Sequence, residues 1–430
     1  MVSGRWWRGL LLGASVLSAP AKAETFEQVL ERMAAAHPRI VAAQQLTRAG
    51  RADVRAAKSS YRPQFGLETD LGWDDGNSTR SSGFALLPEA KVSQLVYDGG
   101  RTPAEIRRRR LRVDLLGVQE QAALADLSQQ LAAAWIDHAR ATELIDIGTQ
   151  QVAALEALDR LVVEIASFDR GRASDVVMVE SRLEQARTAL QTREITLVEA
   201  RGRIREVSAL PVEPQGGVPD IAGALPETAD SGEAMAAGSP AVRSADIEVA
   251  ENEEAVKGTR NWWLPQLALE GARTSERTVE GDTRLFNGFA VRLRASALPF
   301  DSGGGRARHE AAKAELDSAE SSAALTRTSL AAQVRRLWTF QAQRQARLPS
   351  LAGLIARADD ARNIVFEQFR LGRRTILDLL GYELERFNVR AQLVNERFDI
   401  AQTQYQLMGV LGRIYPAVMG APMIEMGARP

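Results

Sequence analysis

Few residues of this 430-residue chain are equipped for covalent or acid–base chemistry. Cysteine is absent, which removes disulfides, thiolate metal sites, cysteine nucleophiles and lipid attachment to an N-terminal cysteine together. The histidines are His37, His138 and His309, far apart and without ligand spacing, so any metal site or triad would have to be assembled by the fold. Ser302-Gly303-Gly304-Gly305-Arg306 lacks the Gly-Lys-Ser/Thr ending of a phosphate loop and reads as a strand-to-helix turn. No Asp/Glu pair stands out as an acid/base site, so no catalytic residue, cofactor site or metal site is expected, and an enzyme has little support. Eight scattered Met and no His cluster offer no copper or silver path. The sharpest polar pattern is Thr375 with Asp378, the spacing of a capping box at a helix start. With 54 Lys+Arg against 55 Asp+Glu, no basic excess calls for a nucleic acid.

Residues 1–23 have the composition of an export signal. Arg5 and Arg8 precede an apolar run from Gly9 to Ala19, and Ala21 and Ala23 make a small-x-small end. The apolar run is too short to span a bilayer, and no other segment reaches the ~18 apolar residues that a spanning helix needs. Cleavage would leave a mature net charge of about −4; the other reading of the segment is an uncleaved anchor.

The chain repeats itself. His37-Pro38 and Tyr61-Arg62-Pro63-Gln64-Phe65 return as Ser239-Pro240 and Trp263-Leu264-Pro265-Gln266-Leu267, at an offset of 202. Tyr97-Asp98-Gly99-Gly100 returns as Phe300-Asp301-Ser302-Gly303, and Phe168-Asp169-Arg170-Gly171 as Phe369-Arg370-Leu371-Gly372, each within one residue of that offset. Three landmarks in register indicate a duplication: a first repeat over 24–210, a joint over 211–238, a second repeat over 239–415 and a tail over 416–430.

Each repeat holds two alternating runs. Phe289, Val291, Leu293, Ala295 and Ala297 oppose Ala290, Arg292, Arg294 and Ser296, while Phe65, Leu67, Leu71 and Trp73 oppose Gly66, Glu68, Asp70 and Gly72. Period two predicts strands about as long as the 9–11 residues of a tilted membrane strand. One apolar and one charged face fits a barrel wall between lipid and water, and equally a half-buried hairpin in a soluble protein.

Long helices follow. Leu377, Leu384, Ala391, Phe398 and Tyr405, with Leu380, Phe387, Val394, Ala401 and Met408, form a coiled-coil pattern. The first repeat answers with Val176, Leu183, Leu190, Leu197 and Ile204 beside Val179, Ala186, Arg193, Ala200 and Val207, broken only by Arg193. The preceding helix carries Leu127, Ala134, Ala141, Gly148, Leu155 and Val162, with His138 in its companion series as a seam residue rather than a ligand. Its expected start is Pro103 with Thr102 as N-cap, and about 60 residues to Ile165 would reach about 90 Å. The expected shape is a rod. Arg107 to Arg110 read as a solvated helix face, or alternatively as a contact with lipid headgroups.

An exported, duplicated chain with Tyr61-Arg62-Pro63-Gln64 and Trp263-Leu264-Pro265-Gln266 before its strands, Tyr97-Asp98-Gly99-Gly100 and Phe300-Asp301-Ser302-Gly303-Gly304 after them, and Gly372-Arg373-Arg374-Thr375-Ile376-Leu377-Asp378 at the last helical turn resembles the TolC family of outer-membrane channels. The resemblance implies a mainly α protomer with a membrane β-barrel portion, four strands per protomer completing a trimeric barrel. It implies a homotrimer in the outer-membrane lipid with a periplasmic helical tunnel, working with a periplasmic adaptor (membrane fusion) protein and an inner-membrane pump, ABC or proton-driven. It places Asp378 at a pore-ring aspartate and Arg374 at a gate-bonding arginine, with Gly381 where a second ring aspartate is expected. Capping alone would also explain Thr375 and Asp378. Arg292 and Arg294 are candidate barrel-lumen residues.

Three function classes follow: an exit duct, a periplasmic coiled-coil adaptor, or a secreted rod. The bilayer-length runs favour the duct. For its cargo, efflux members of that family often carry a lipidated N-terminal cysteine, which this chain lacks, so the resemblance implies type I protein secretion, with drug or small-molecule efflux as the alternative.

Overall fold

A proline after a capping residue opens the same helix twice. His37 Nδ1 accepts from the Arg39 amide at 3.2 Å, and Ser239 Oγ accepts from the Val242 amide at 3.3 Å, each just before a proline whose missing N–H costs nothing in a first turn. In the computed structural model, which describes residues 22–74, 83–278 and 286–420, these helices are α2 (Pro38–Ser59) and α6 (Pro240–Arg260) in the series that follows. The chain runs β1 (Lys22–Glu24), α1 (Phe26–Ala36), α2, β2 (Gln64–Asp74), β3 (Gly83–Tyr97), α3 (Arg101–Phe168), α4 (Ala173–Ser208) and β4 (Val212–Pro214). It continues as α5 (Ala229–Ala236), α6, β5 (Gln266–Thr278), β6 (Phe286–Ser296), α7 (Gly304–Arg370), α8 (Ile376–Val410) and α9 (Ile414–Met419). All of the expected export signal except Lys22 and Ala23 lies outside the described residues, as do residues 421–430 of the expected tail.

The strands are 11, 15, 13 and 11 residues long and form one antiparallel sheet in the order β2-β3-β5-β6. No helix among the described residues is long and apolar enough to cross a membrane. α3 and α7 span 68 and 67 residues, about 100 Å each at 1.5 Å per residue. α3 starts earlier than Thr102 would allow. Its N-cap is Gly100, at φ +89°, and the capping acceptor is Asp98, which takes the Gly100 amide on Oδ1 and the Thr102 amide on Oδ2 at 2.6 Å. A carboxylate two residues upstream outcompetes the threonine hydroxyl for the free N–H groups and suits the helix dipole.

The helices lie side by side in open rows. Near the sheet the order is α2, α3, α6, α7; toward the far end it is α4, α3, α8, α7. The α3–α4 seam is buried as its heptads require, with Leu127, Leu155, Val162, Val179 and Ile204 inside. The last helix departs from its pattern. Leu380, Phe387, Val394 and Met408 are buried, but Leu377 and Leu384 stay exposed at 61% and 43%, because no neighbour in this chain covers that flank.

The joint after α4 is held by three aromatic donors. Trp135 Nε1 donates to the Gly216 carbonyl at 3.1 Å, Tyr405 Oη to Pro219 at 3.0 Å, and Trp338 Nε1 to Pro226 at 3.1 Å. Phe26 packs edge-on against Trp135 and Tyr405 at 5.7 and 5.9 Å, seating α1 in the same core. Burying aromatic rings of this size is worth about 2–3 kcal/mol each, so the connection between the halves is a packed collar.

Candidate functional site

The turn between α7 and α8 is built from local signals. Gly372, at φ +71°, donates to the Phe369 carbonyl and Arg373 to that of Gln368, both at 2.9 Å, which ends α7 in a left-handed cap that favours glycine. Two residues later Thr375 is the N-cap of α8. The Asp378 amide donates to Thr375 Oγ1 at 3.2 Å, and Asp378 Oδ2 accepts from the Thr375 amide at 3.2 Å and its hydroxyl at 2.9 Å. These hydrogen bonds from Thr375, side chain first and then backbone, with a smaller contribution from the Arg374 charge, hold the Asp378 carboxyl below the usual aspartate range, so it is an anion at neutral pH. Arg374 stays within the turn, with Nε on Gln368 Oε1 at 3.1 Å and a guanidinium nitrogen 4.0 Å from Asp378 Oδ2. Gly381 is exposed one turn further on, and a Cβ there would meet open space.

Under this turn the ends of four helices share a core of Leu158, Val162, Val179, Val365, Phe369 and Ile376. The Arg172 guanidinium lies 5.4 Å from the Phe369 ring centroid, tying the equivalent turn of the first repeat to that of the second.

Above the turn lies an ionic lattice that sequence spacing did not single out. Glu383, 3% exposed, receives Arg362 Nε at 2.5 Å and Arg386 at 3.4 Å, while Asp359 accepts from Arg386 at 2.6 Å and Arg390 at 3.0 Å. Burial alone would raise the Asp359 carboxyl, but the hydrogen bonds from Arg386 and Arg390 outweigh it and hold the group below its ordinary value. Further up, Asp399 accepts from Arg140 of α3 and Arg344 of α7, each at 2.8 Å, so one carboxylate joins the two repeats. The available signal was the set of acidic positions beside the apolar seam of the last helix, Glu383 and Asp399 among them, with Glu396 3.5 Å from Arg344.

At the other end, the sheet separates its faces. Phe65, Leu67, Phe289, Val291 and Leu293 are 60–91% exposed on one side, an apolar surface that water would not tolerate uncovered. Arg273 is the lone charge there among the residues whose side chains are described, opposite Ala90 and Phe289 in the ladder. The other side is charged and paired: Lys91 meets Glu68 at 2.6 Å, and Arg294 meets Glu270 at 3.0 Å. Arg292 stands directly opposite Glu270 on the same face. Arg292 and Arg294 thus share the polar side, far along the chain from Arg374, Thr375 and Asp378, and the two groups do not form one site.

The remaining sequence candidates are structural. Arg107 pairs with buried Glu254 at 2.7 Å, and Arg108 and Arg109 both pair with Glu105, so three of the four arginines have carboxylate partners within the fold. His138 is buried in the α3–α4 seam; burial, and then the Arg201 charge, push its imidazole below the usual histidine value. His309 Nδ1 lies 3.1 Å from Thr259 Oγ1. Among the described residues no cluster of His, Cys, Asp or Glu could hold a metal ion.

Residues 233–413 match the family described as outer membrane efflux protein. The outer membrane efflux protein BepC of Brucella suis biovar 1 (strain 1330) is 22% identical over 388 residues, covering 87% of this chain and 82% of that protein. CusC, which forms a transmembrane channel, superposes with a TM-score of 0.80 at 12% identity, over 96% of this chain and 99% of its own. The outer-membrane channel OprN gives 0.80 at 19% identity over 91% and 90%, and the outer membrane protein VceC of Vibrio cholerae gives 0.79 at 13% over 90% and 96%. The fold is therefore that of outer-membrane channel proteins, as the resemblance to the TolC family implied.

Proposed function

We propose that this chain, which has the protomer fold of the TolC-family outer-membrane channels, forms a ring of three that serves as the exit duct of an export system. One observation carries the reading: every layer of the protomer is an open row with two unpaired ends. The sheet ends in β2 and β6, the upper helices in α2 and α7, and the lower helices in α4 and α7. A membrane sheet cannot leave its edge groups unpaired in hydrocarbon, and four strands cannot close alone. Copies of the chain, joined end to end, satisfy all three layers at once, with the apolar face toward lipid and Glu68, Lys91, Glu270, Arg292 and Arg294 around an aqueous lumen. A periplasmic adaptor would have no use for that apolar sheet.

In this reading the helical tunnel extends into the periplasm and the α7–α8 turn narrows it. Three copies of Asp378 ring the opening, with Arg374 and Thr375 setting each carboxylate's position. The matching helices and strands support repeats over 24–210 and 239–415, joined by 211–238. A periplasmic adaptor and an inner-membrane pump, ABC or proton-driven, complete the path. The test is the migration of unheated and heated samples from outer-membrane fractions: a heat-dissociated trimer is expected, and a monomer in the soluble periplasm would overturn the reading.

For cargo, the efflux descriptions of the matched family and of BepC favour small molecules, while the cysteine-free sequence favours type I protein secretion. A deletion strain decides between them. Drug hypersensitivity with an intact secretome assigns efflux; loss of one large exported protein at unchanged drug tolerance assigns secretion.

A further inference from the structure

The apolar face of the sheet is not flat. Phe65, Leu67, Phe289 and Val291 stand exposed on the outer strands β2 and β6, and the ladder sets the small Ala90 and Gly271 of β3 and β5 between them. The result is a trough of about 850 Å³ along the middle of the sheet, with Leu269 toward the helices and Arg273 toward the other end. That volume lies within the range of small-molecule sites, about 300–1,000 Å³. A Cβ at Gly271 would meet only the Ala290 carbonyl, at 4.0 Å, so the floor is open because this position has no side chain.

The charge on this face is unmatched. Arg273 stands between Ala90 and Phe289 in the ladder and has no carboxylate partner among the described residues, whereas Lys91 and Arg294 on the polar face each have one. A surface that meets only hydrocarbon has no use for a cation, and an arginine there is costly unless an anion meets it. Arg273 lies seven residues beyond Gln266, where β5 leaves the helices, which is about 23 Å along the strand and about 18 Å of height at a tilt of about 40°. In a membrane that is past the middle of an apolar band about 25 Å tall, and the long arginine stem snorkels onward to the headgroups of the leaflet farther from the helices.

We propose that the trough is a lipid site: an acyl chain lies over Ala90 and Gly271, and the anionic phosphate of its headgroup accepts hydrogen bonds from the Arg273 guanidinium. The proposal rests on the ring reading above, which puts this face in the membrane and Arg273 in the outer leaflet. Further copies join at β2 and β6, whereas the floor of the trough belongs to β3 and β5, so the site stays open in every protomer of a closed ring. A guanidinium offers paired N–H donors that match phosphate oxygens. A net anionic headgroup is therefore preferred over a zwitterionic one, whose ammonium offsets the phosphate.

The test takes the full chain from outer membranes into detergent, adds either lipid A, a phosphorylated glycolipid, or phosphatidylcholine, and reads subunit number and retained lipid together by native mass spectrometry. One lipid A per protomer and little phosphatidylcholine are expected. Arg273→Leu should cut lipid A retention about fivefold, the effect of one arginine at an anionic lipid surface, with Arg273→Lys intermediate. Gly271→Leu keeps the charge but fills the floor, and should lose the lipid as well. Should that variant fail to assemble, the two arginine variants decide. Without added lipid the arginine has no anion to meet and is only a cost. Trimers that retain neither lipid, or that retain lipid A equally in the parent and Arg273→Leu, overturn the site while the ring stands. A monomer removes the ring reading, and the site with it.

Discussion

Arg193 lies over Gly148. The guanidinium crosses the α3–α4 seam and donates to the Leu144 carbonyl at 3.2 Å, and a Cβ at position 148 would come within 2.4 Å of its Nη1. The residue that interrupts one heptad series is thus accommodated by the smallest residue of the series it faces. The two are a single packing solution, with burial pulling the guanidinium below its usual pKa.

The pair predicts a specific non-additivity. Gly148→Ala alone gains about 1 kcal/mol of helix propensity but displaces the arginine from its hydrogen bond, so little net change in thermal stability is expected. In an Arg193→Ala background the same change should stabilise by about 1 kcal/mol. A double-mutant cycle followed by circular dichroism melting reads the coupling; equal effects in both backgrounds would dissolve the pair.

Cap and pore roles at the tip separate by variant. Thr375→Ala should destabilise the α8 start by about 1 kcal/mol and, because it keeps the Asp378 carboxylate while losing the hydroxyl that positions it, alter ion selectivity less than removal of that carboxylate does. Asp378→Ala should lower cation preference in single-channel recordings, and Gly381→Asp, which enters open space, should raise it. Unchanged selectivity in Asp378→Ala removes that carboxylate from the pore.

Both partly buried histidines add acid sensitivity. Burial lowers His37, partly offset by a hydrogen bond to Val207 and reinforced by Arg39, and it lowers His138. The unfolded chain then binds more protons than the folded one just below pH 6.5, so stability falls as pH drops through that value. His138→Leu, which also removes two buried ring nitrogens without hydrogen-bond partners, should flatten the melting temperature between about pH 5 and 7. A slope like that of the parent would show that His138 does not titrate there.

The lattice above the tip should be mechanically important. Glu383→Ala strips Arg362 of its carboxylate partner and deprives Arg386 of one of two, with an expected loss of about 2–3 kcal/mol given the buried carboxylate and partly wet arginines. Asp359 adds a pH term of its own. Its lowered pKa contributes stability above the unfolded value near 4 that is lost as pH falls through the folded value. Hydrogen exchange across 376–390 measures the first effect, and exchange at wild-type rates in Glu383→Ala would show that the lattice is ornamental.

Arg273 sits on the apolar face of the sheet. If that face meets hydrocarbon, Arg273→Leu should raise trimer persistence in detergent on heating, since a lipid-facing arginine costs up to ~2–4 kcal/mol depending on depth. A lower dissociation temperature would mean that the face is wet or occupied.

Features written in contiguous residues were legible, and those assembled across the chain were not. Pro38 and Pro240, the Asp98 and Asp301 turns and the Thr375–Asp378 box act within a few residues, so their spacing alone announces helix ends and strand ends. The Asp98 cap was nonetheless missed, because Thr102 and Pro103 form a plausible start that only geometry can rank below a carboxylate. Alternation gave strands in each repeat but not the order of the sheet, since the β3–β5 pairing that joins the two hairpins spans about 170 to 193 residues of chain. The link from Arg140 through Asp399 to Arg344 is invisible for the same reason: its charges come from three helices, each ordinarily amphipathic. The collar at Gly216, Pro219 and Pro226 depends on which way Trp135, Tyr405 and Trp338 face, and periodicity gives a side of the helix rather than a hydrogen-bond partner.

The free edges of β2 and β6 also set a timetable. In the proposed ring, until the last copy docks, each chain carries two strands with one unpaired edge each beside bare phenylalanine and leucine, a template for indiscriminate strand addition. The helices gain their contacts locally and can form early, whereas the sheet is safe only after closure. Biogenesis is therefore a race between correct neighbour and wrong neighbour. In the proposed ring the vulnerable species is the lone chain, whose two strand edges stay open until its neighbours dock.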